Sequence, residues 1–364
     1  MTDTPPPRSP DAVLDALVAL GGAAEALRPT VPSWQVRTVE AGRPYVRRGQ
    51  RAQAVLLVLE GELAVQMQKT DIGRLTGVAF TGLSSCITKE GTHPRDLLAV
   101  RRTVVAELPT EALLELRHGR DLAYRELLAI ELRSLAQRME ATGARIATLR
   151  AGNVPLTHRE RSSMLGRLWR SLRARGDSFP PIDPLLQALP GLRQARPEVI
   201  AEIGAAFRPR SFGPHDVIAL EGEAEGSLFL LAAGQVDVLR KSTNGVGALM
   251  LTALREGAVF GMVSLLTTMK RSASCVAADE VKVYEMTREA HAGLAPDAAR
   301  AWGESLMAVL HRQLGESYSS LVAALRLFES RGPATEKGAG ADESLVMFVT
   351  SQRRPDDPGG DDPH

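Results

Sequence analysis

The chain has 364 residues, room for two domains and connectors, and its 44% hydrophobic and 24% charged content is ordinary for a globular protein. A formal net charge of +1 gives no overall field for a polyanion, no apolar run approaches the ~20 residues that span a bilayer, and the start lacks the basic-then-apolar order of a secretory signal. Two cysteines, Cys86 and Cys275, lack disulfide-framework or zinc-ligand spacing, so a reducing, cytoplasmic location is expected and no metal is assigned.

In chain order, residues 1–10 read as a proline-rich, disordered leader. Residues 11–116 and 185–294 then repeat one pattern. "VEAGRPYVRRGQRAQAVLLVLEGELAVQ" from Val39 parallels "FGPHDVIALEGEAEGSLFLLAAGQVDVL" from Phe212, pairing Gly49 with Gly222 and Gly61 with Gly234 at one constant offset. Glycines bounding short Leu- and Val-rich runs mark tight corners between strands. Turn signals at short, regular spacing point to an all-β roll. The expectation is mainly β with α: two β-rolls of jelly-roll type, each followed by a long helix, at 117–150 and 295–331.

Both helices carry an apolar stripe. Leu128, Leu132, Leu135, Met139, Thr142, Ile146 and Leu149 step by four and three in alternation, while Met307, Leu314, Leu321 and Phe328 fall seven apart, with His311, Tyr318 and Leu325 on the companion row. Such stripes form coiled-coil seams. They predict a homodimer, the other reading being that each helix packs on its own roll. Gly143 costs the first helix about 1 kcal/mol.

The connector, 151–184, holds one basic helix. "THRE" at 157–160 has capping-box spacing, and Met164, Leu165, Leu168, Trp169 and Leu172 form an apolar stripe among six arginines between Arg159 and Arg175. That basic face is either solvated or lies on phosphates. Residues 332–364 are rich in Gly, Pro and charge and read as a disordered tail, interrupted by an apolar island at 344–350.

The richest stretch is "FGMVSLLTTMKRSAS", Phe260–Ser274, a glycine turn, a short apolar run and an arginine flanked by small residues. Together with Phe212–Gly213–Pro214, Glu221–Gly222–Glu223, Ser227–Leu228–Phe229, Gly234 and Gly257, it resembles the cyclic-nucleotide-binding domain of catabolite-activator-type regulators and of kinase regulatory subunits. The resemblance covers about 185–294 well and 17–116 more weakly. It implies a phosphate cassette in which Gly261 makes the turn and a short helix from Met262 and Val263 aims free N–H groups at an anion. Arg271 would take the phosphate, supported by Ser272.

The family's cassette has glutamate after the glycine, to grip a ribose hydroxyl. Here Met262 stands there, and leaving that hydroxyl unpaired costs about 1–3 kcal/mol. Arg271 then binds cyclic AMP, cyclic GMP or another small anion, or is kept by an ion pair with Glu221, Glu223 or Glu225. In the first roll Leu83 takes the glutamate position, and Arg95 follows at longer spacing beside Asp96, which would compete for it. That roll reads as a scaffold that has lost its pocket. Cys86 and His93 share its loop without metal-site spacing.

No "HExxH", P-loop or nucleophile–base arrangement appears, so an enzyme is not expected. The resemblance implies a regulatory sensor or pseudo-sensor acting through a protein effector. No nucleic acid or membrane partner is expected. Alternatives are a transcriptional regulator contacting DNA through the connector, and a dimeric scaffold without ligand.

Overall fold

The computed structural model describes residues 11–88, 91–119, 121–151, 179–241 and 248–330. The proline-rich leader, the basic helix of the connector, and the tail with its apolar island lie outside the described residues.

Helices α1 (Asp11–Ala19) and α2 (Ala24–Leu27) and a 3-10 turn (Arg28–Ser33) lead into the first roll. Its strands are β1 (Gln35–Val39), β2 (Pro44–Val46), β3 (Ala54–Glu60), β4 (Glu62–Met67), β5 (Thr70–Thr76) and β6 (Ala79–Thr81). A short helix, α3 (Leu83–Ile87), separates these from β7 (Asp96–Ala99) and β8 (Thr103–Pro109). They build two antiparallel sheets in the orders β1-β8-β3-β6 and β2-β7-β4-β5. Helix α4 (Thr110–His118) and the long α5 (Leu122–Ala151) follow.

The second half opens on α6 (Ile182–Ala188) and α7 (Pro197–Ala205). Its strands are β9 (Arg208–Phe212), β10 (Val217–Ala219), β11 (Ser227–Ala233), β12 (Val236–Lys241), β13 (Ala248–Leu254) and β14 (Val259–Phe260). After the short helix α8 (Met262–Leu266) come β15 (Ser274–Ala277) and β16 (Val281–Thr287), then α9 (Arg288–Ala292) and the long α10 (Pro296–Ser330). The sheet orders, β9-β16-β11-β14 and β10-β15-β12-β13, reproduce those of the first roll strand for strand. The repeat therefore encodes two β-rolls, each followed by a long helix.

In each roll the strand with the densest apolar run is central. β3 (AVLLVLE) is buried at every position but the last, and β11 (SLFLLAA) at all but its last. A run that alternates would leave one face wet; a continuous run fits a strand covered on both faces. Inside the second roll Phe229 and Phe260 stack with centroids 5.1 Å apart, joined by Leu231, Val236, Val281 and Val283.

The two long helices pack against each other. They run parallel: Tyr124 meets Glu304, a Cβ on Gly303 would touch Leu128, and Ser317 donates to the Met139 sulfur at 3.5 Å. The dimer seam expected from the sequence is thus used inside one chain. Leu128, Leu132, Leu135, Ile146, Met307, Leu314 and Leu321 are buried, and Met139 and Leu149 pack on the same core. Phe328 alone among the stripe residues is exposed, at 57%. The physical reason is the repeat itself: two copies of one stripe on one chain give each helix its partner without a second molecule.

Candidate functional site

The cassette of the second roll is built by the sharp turn after β14. Gly261 takes φ 81°, the left-handed region open to glycine, and starts α8. A Cβ there would sit 2.8 Å from both Arg271 Nη1 and Ser227 O, so the glycine also makes room for the arginine. Met262 and Val263 are buried, and Met262 packs into the main core. Where the family's cassette has a carboxylate, a buried thioether side chain stands.

Arg271 is brought to the same turn, 5% exposed. Its Nη1 donates to Ser227 O at 2.5 Å and to Gly261 O at 3.3 Å, and its Nη2 to Ser227 Oγ at 2.8 Å. The guanidinium lies 5.5 Å from the Phe229 centroid, and Nε is buried with no hydrogen-bond partner among the described residues. Burial, the dominant cause, pulls its pKa below the usual arginine value, against the pull of Cys275, Glu225 and Glu223. The ion pair considered from the sequence is not the restraint. Glu221 accepts from the Lys241 backbone N–H at 2.7 Å and Glu223 from that of Leu220 at 3.0 Å. Oxygens of Ser227 and Gly261 hold the arginine instead.

Beside the cassette lies a cavity of about 770 Å³, lined by Gly261, Met262, Val263, Arg271 and Ser272. Clefts of this size take nucleotide-sized ligands. Its other walls are the long helices: Arg312, Gln313, Glu316 and Ser317 from α10, and Glu140, Gly143 and Arg150 from α5. These wall residues could not be foreseen from the cassette motif, because they lie far from it along the chain. Both helices are tied to this roll. Gln313 Nε2 donates to Val259 O at 2.9 Å, and Arg240 on β12 forms a two-pronged pair with Glu140 at 2.7 and 3.3 Å.

Arg288, at the start of α9, was also missed from sequence. Its guanidinium donates to the carbonyls of Ser264, Leu265 and Thr267, so it holds the C-terminal end of the cassette helix. The only signal was a cation directly after the last strand. Gly226 makes space for it: a Cβ there would lie 2.5 Å from Arg288 Nη2.

The first roll repeats the turn but not the cavity. Gly82 (φ 98°) starts α3, Leu83 is fully buried, and the space beside Ser84, Ser85 and Arg95 is about 40 Å³.

Comparison with known proteins finds several relatives. A CRP-like cAMP-activated global transcriptional regulator of Mycobacterium tuberculosis is 26% identical over 147 residues, covering 38% of this chain and 62% of that protein. A cAMP-dependent protein kinase regulatory subunit of Hypocrea atroviridis is 30% identical over 105 residues, 29% of this chain and 21% of the relative. The chain thus spans about a fifth to three fifths of the curated relatives it matches. Among solved structures, the regulatory domain of Toxoplasma gondii PKA with cAMP aligns over 80% of this chain and 94% of its own, at 13% identity and TM-score 0.30. The model of one family, the cyclic nucleotide-binding domain, matches residues 209–295. Residues 209–295, the strands of the second roll and the short helix α9, are thus similar to a cyclic nucleotide-binding domain.

Proposed function

We propose that the chain is a non-enzymatic regulatory protein whose second roll takes a cyclic nucleotide, or an anion of similar size, and passes its occupancy to a protein effector through the paired helices. The observation that carries this reading is the cavity of about 770 Å³ walled by the cassette on one side and by both long helices on the other. A ligand there touches the roll and the helix pair together, which lets it favour one arrangement of the pair over another. The regulatory relatives support the same class of function.

Met262 shapes the expected specificity. Without the glutamate, the sugar edge has no strong acceptor at that position, which weakens a ribose contact by about 1–3 kcal/mol. Glu316 and Ser317 line the opposite wall and supply acceptors from the helix side.

The test is a thermal-shift panel of cyclic AMP, cyclic GMP, cyclic dinucleotides and nucleoside monophosphates on the full chain. A ligand at 100 times its dissociation constant stabilises by about 2.7 kcal/mol. The expected result is a raised midpoint with one cyclic nucleotide that disappears in Arg271→Ala. No shift with any of them, or a shift that survives Arg271→Ala, would end this reading.

A further inference from the structure

The two rolls carry opposite charge at equivalent places on their edges. Residues 42–52 hold four arginines, Arg43, Arg47, Arg48 and Arg51, and no carboxylate. Their counterparts in the repeat, 215–225, hold four carboxylates, Asp216, Glu221, Glu223 and Glu225, and no lysine or arginine. Hydrogen bonds fix the correspondence. The Ala99 N–H donates to Arg43 O at 3.1 Å, as that of Ala277 does to Asp216 O at 2.9 Å. The Arg48 N–H donates to Asp96 Oδ1 at 2.8 Å, as that of Glu221 does to Ser274 Oγ at 3.0 Å. Arg43 therefore stands where the second roll has Asp216, and Arg48 where it has Glu221. The inversion continues in the following turn, with Arg102 just before β8 and Glu280 just before β16.

These charges are left for a partner. All five arginines are exposed, and among the described residues none of them forms an ion pair. Asp216, Glu223, Glu225 and Glu280 are exposed and Glu221 is half-buried. Asp216, Glu221 and Glu223 accept from the backbone N–H groups of Gly213, Lys241 and Leu220, bonds that bring no cation with them. β2 and β10 are outer strands of their sheets, so one backbone edge of each is open. Val217 and Leu220, 52% and 44% exposed, put apolar surface among the carboxylates. Charge on an edge strand commonly serves to block sheet-to-sheet pairing, and mixed signs would do that equally well. A single sign on each edge does more: two basic edges repel, two acidic edges repel, and only the unlike pair attracts.

We propose that these edges are an interaction surface for a second copy of the chain, the basic edge of one copy docking head to tail on the acidic edge of the next. The partner follows from charge complementarity, because the repeat holds the two opposite sets in the same arrangement. Such a contact is heterologous and leaves one unfilled edge at each end, so it adds further copies unless a ring closes. It rests on neither Arg271 nor the helix seam, and stands or falls apart from the ligand reading.

Sedimentation of the full chain over a concentration series tests this at ~0.1 M and ~1 M salt, between which the screening length falls from about 10 Å to about 3 Å. The expected result is association beyond one chain at the lower salt, weakened at least tenfold at the higher, where the chain runs singly. Arg47→Glu with Arg48→Glu spoils the basic edge, and Glu225→Arg with Glu280→Arg the acidic one. Each double variant alone should run as single chains at the lower salt. Their equal mixture keeps one intact edge of each kind, so it should form two-chain species and nothing larger. One-chain mass for the unaltered protein at the lower salt overturns the proposal, and this arm needs no variant to fold. Association that survives both the higher salt and the charge changes overturns it too, as does a mixture that stays single. One-chain mass together with binding of a duplex oligonucleotide that Arg47→Glu with Arg48→Glu abolishes would give the basic edge to nucleic acid instead.

Discussion

Gly82 and Gly261 start equivalent cassette helices at φ 98° and 81°, but only one of them is hemmed in. A Cβ on Gly82 would find its nearest neighbour at 3.4 Å, an ordinary contact, whereas on Gly261 it would meet Arg271 and Ser227 at 2.8 Å. Alanine at either site carries the left-handed penalty of about 1–2 kcal/mol. At Gly261 it must also displace the arginine from its acceptors. Gly261→Ala is therefore expected to lower the thermal midpoint more than Gly82→Ala and to abolish any cyclic-nucleotide shift; equal losses in the two variants would mean that the close approach of Arg271 does not constrain the turn. At this scale the sequence was informative about backbone and uninformative about partners. The turn glycines could be read from order and spacing, and Met262 and Arg271 from the family resemblance that this order carries. That Ser227 holds Arg271 could not, since the two meet only when β11 passes under the cassette. The expected contrast between the arginines is in part reversed: Arg271 is engaged by protein oxygens, while Arg95, read as part of a scaffold without a pocket, stacks on Tyr318 and has no hydrogen bond among the described residues.

Among the elements, the helix pair depends on one carboxylate at its start. Glu304 on α10 receives a two-pronged contact from Arg117 at 2.9 and 2.8 Å and the Tyr124 hydroxyl at 2.8 Å, with Arg300 at 3.7 Å. Burial by itself would raise this carboxyl, but Arg117, Tyr124 and Arg300 outweigh it and hold it below the usual carboxylate range. A depressed folded-state pKa means that the stabilisation is complete above the unfolded value near 4.5 and fades as pH falls through the folded one. Glu304→Gln should cost about 1.5–3 kcal/mol at neutral pH, the worth of hydrogen bonds to a charged group. Its thermal midpoint should also fall less steeply than that of the unaltered protein as pH drops below 4.5. Parallel curves would show that the Glu304 charge does not anchor the pair. The apolar stripes were legible because a 4-3 spacing survives in any sequence context. The polar companions Glu131 and Arg138 were hidden, since isolated charges on a long helix usually face water.

For the molecule as a whole, the repeat disclosed two rolls, but a heptad stripe cannot say whether its partner helix lies on another chain. Within this chain, α5 packs on α8 and β13 of the second half, while α10 packs on α3 and β5 of the first. Each helix therefore reaches the other half's cassette, and the contact has an approximate two-fold character without a second molecule. Polar ties cross in both directions, Arg240 to Glu140 from the second roll and Arg326 to Gln68 at 2.9 Å from the second helix. An interface that buries Leu128, Leu132, Leu135, Leu314 and Leu321 is core-like, and complete burial of such side chains contributes about 1.5–3 kcal/mol each. If the halves hold each other in this way, the covalent link between residues 151 and 179 is dispensable once they have folded. A protease site inserted there and cut after purification should leave both fragments co-sedimenting at the mass of one chain, as the uncut protein does. Fragments that separate on dilution would mean that the helix pair is too weak to relay ligand occupancy from one half to the other. An uncut protein sedimenting at two-chain mass, and reduced to one-chain mass by Leu321→Glu, would return the stripe to the intermolecular seam first expected from its spacing.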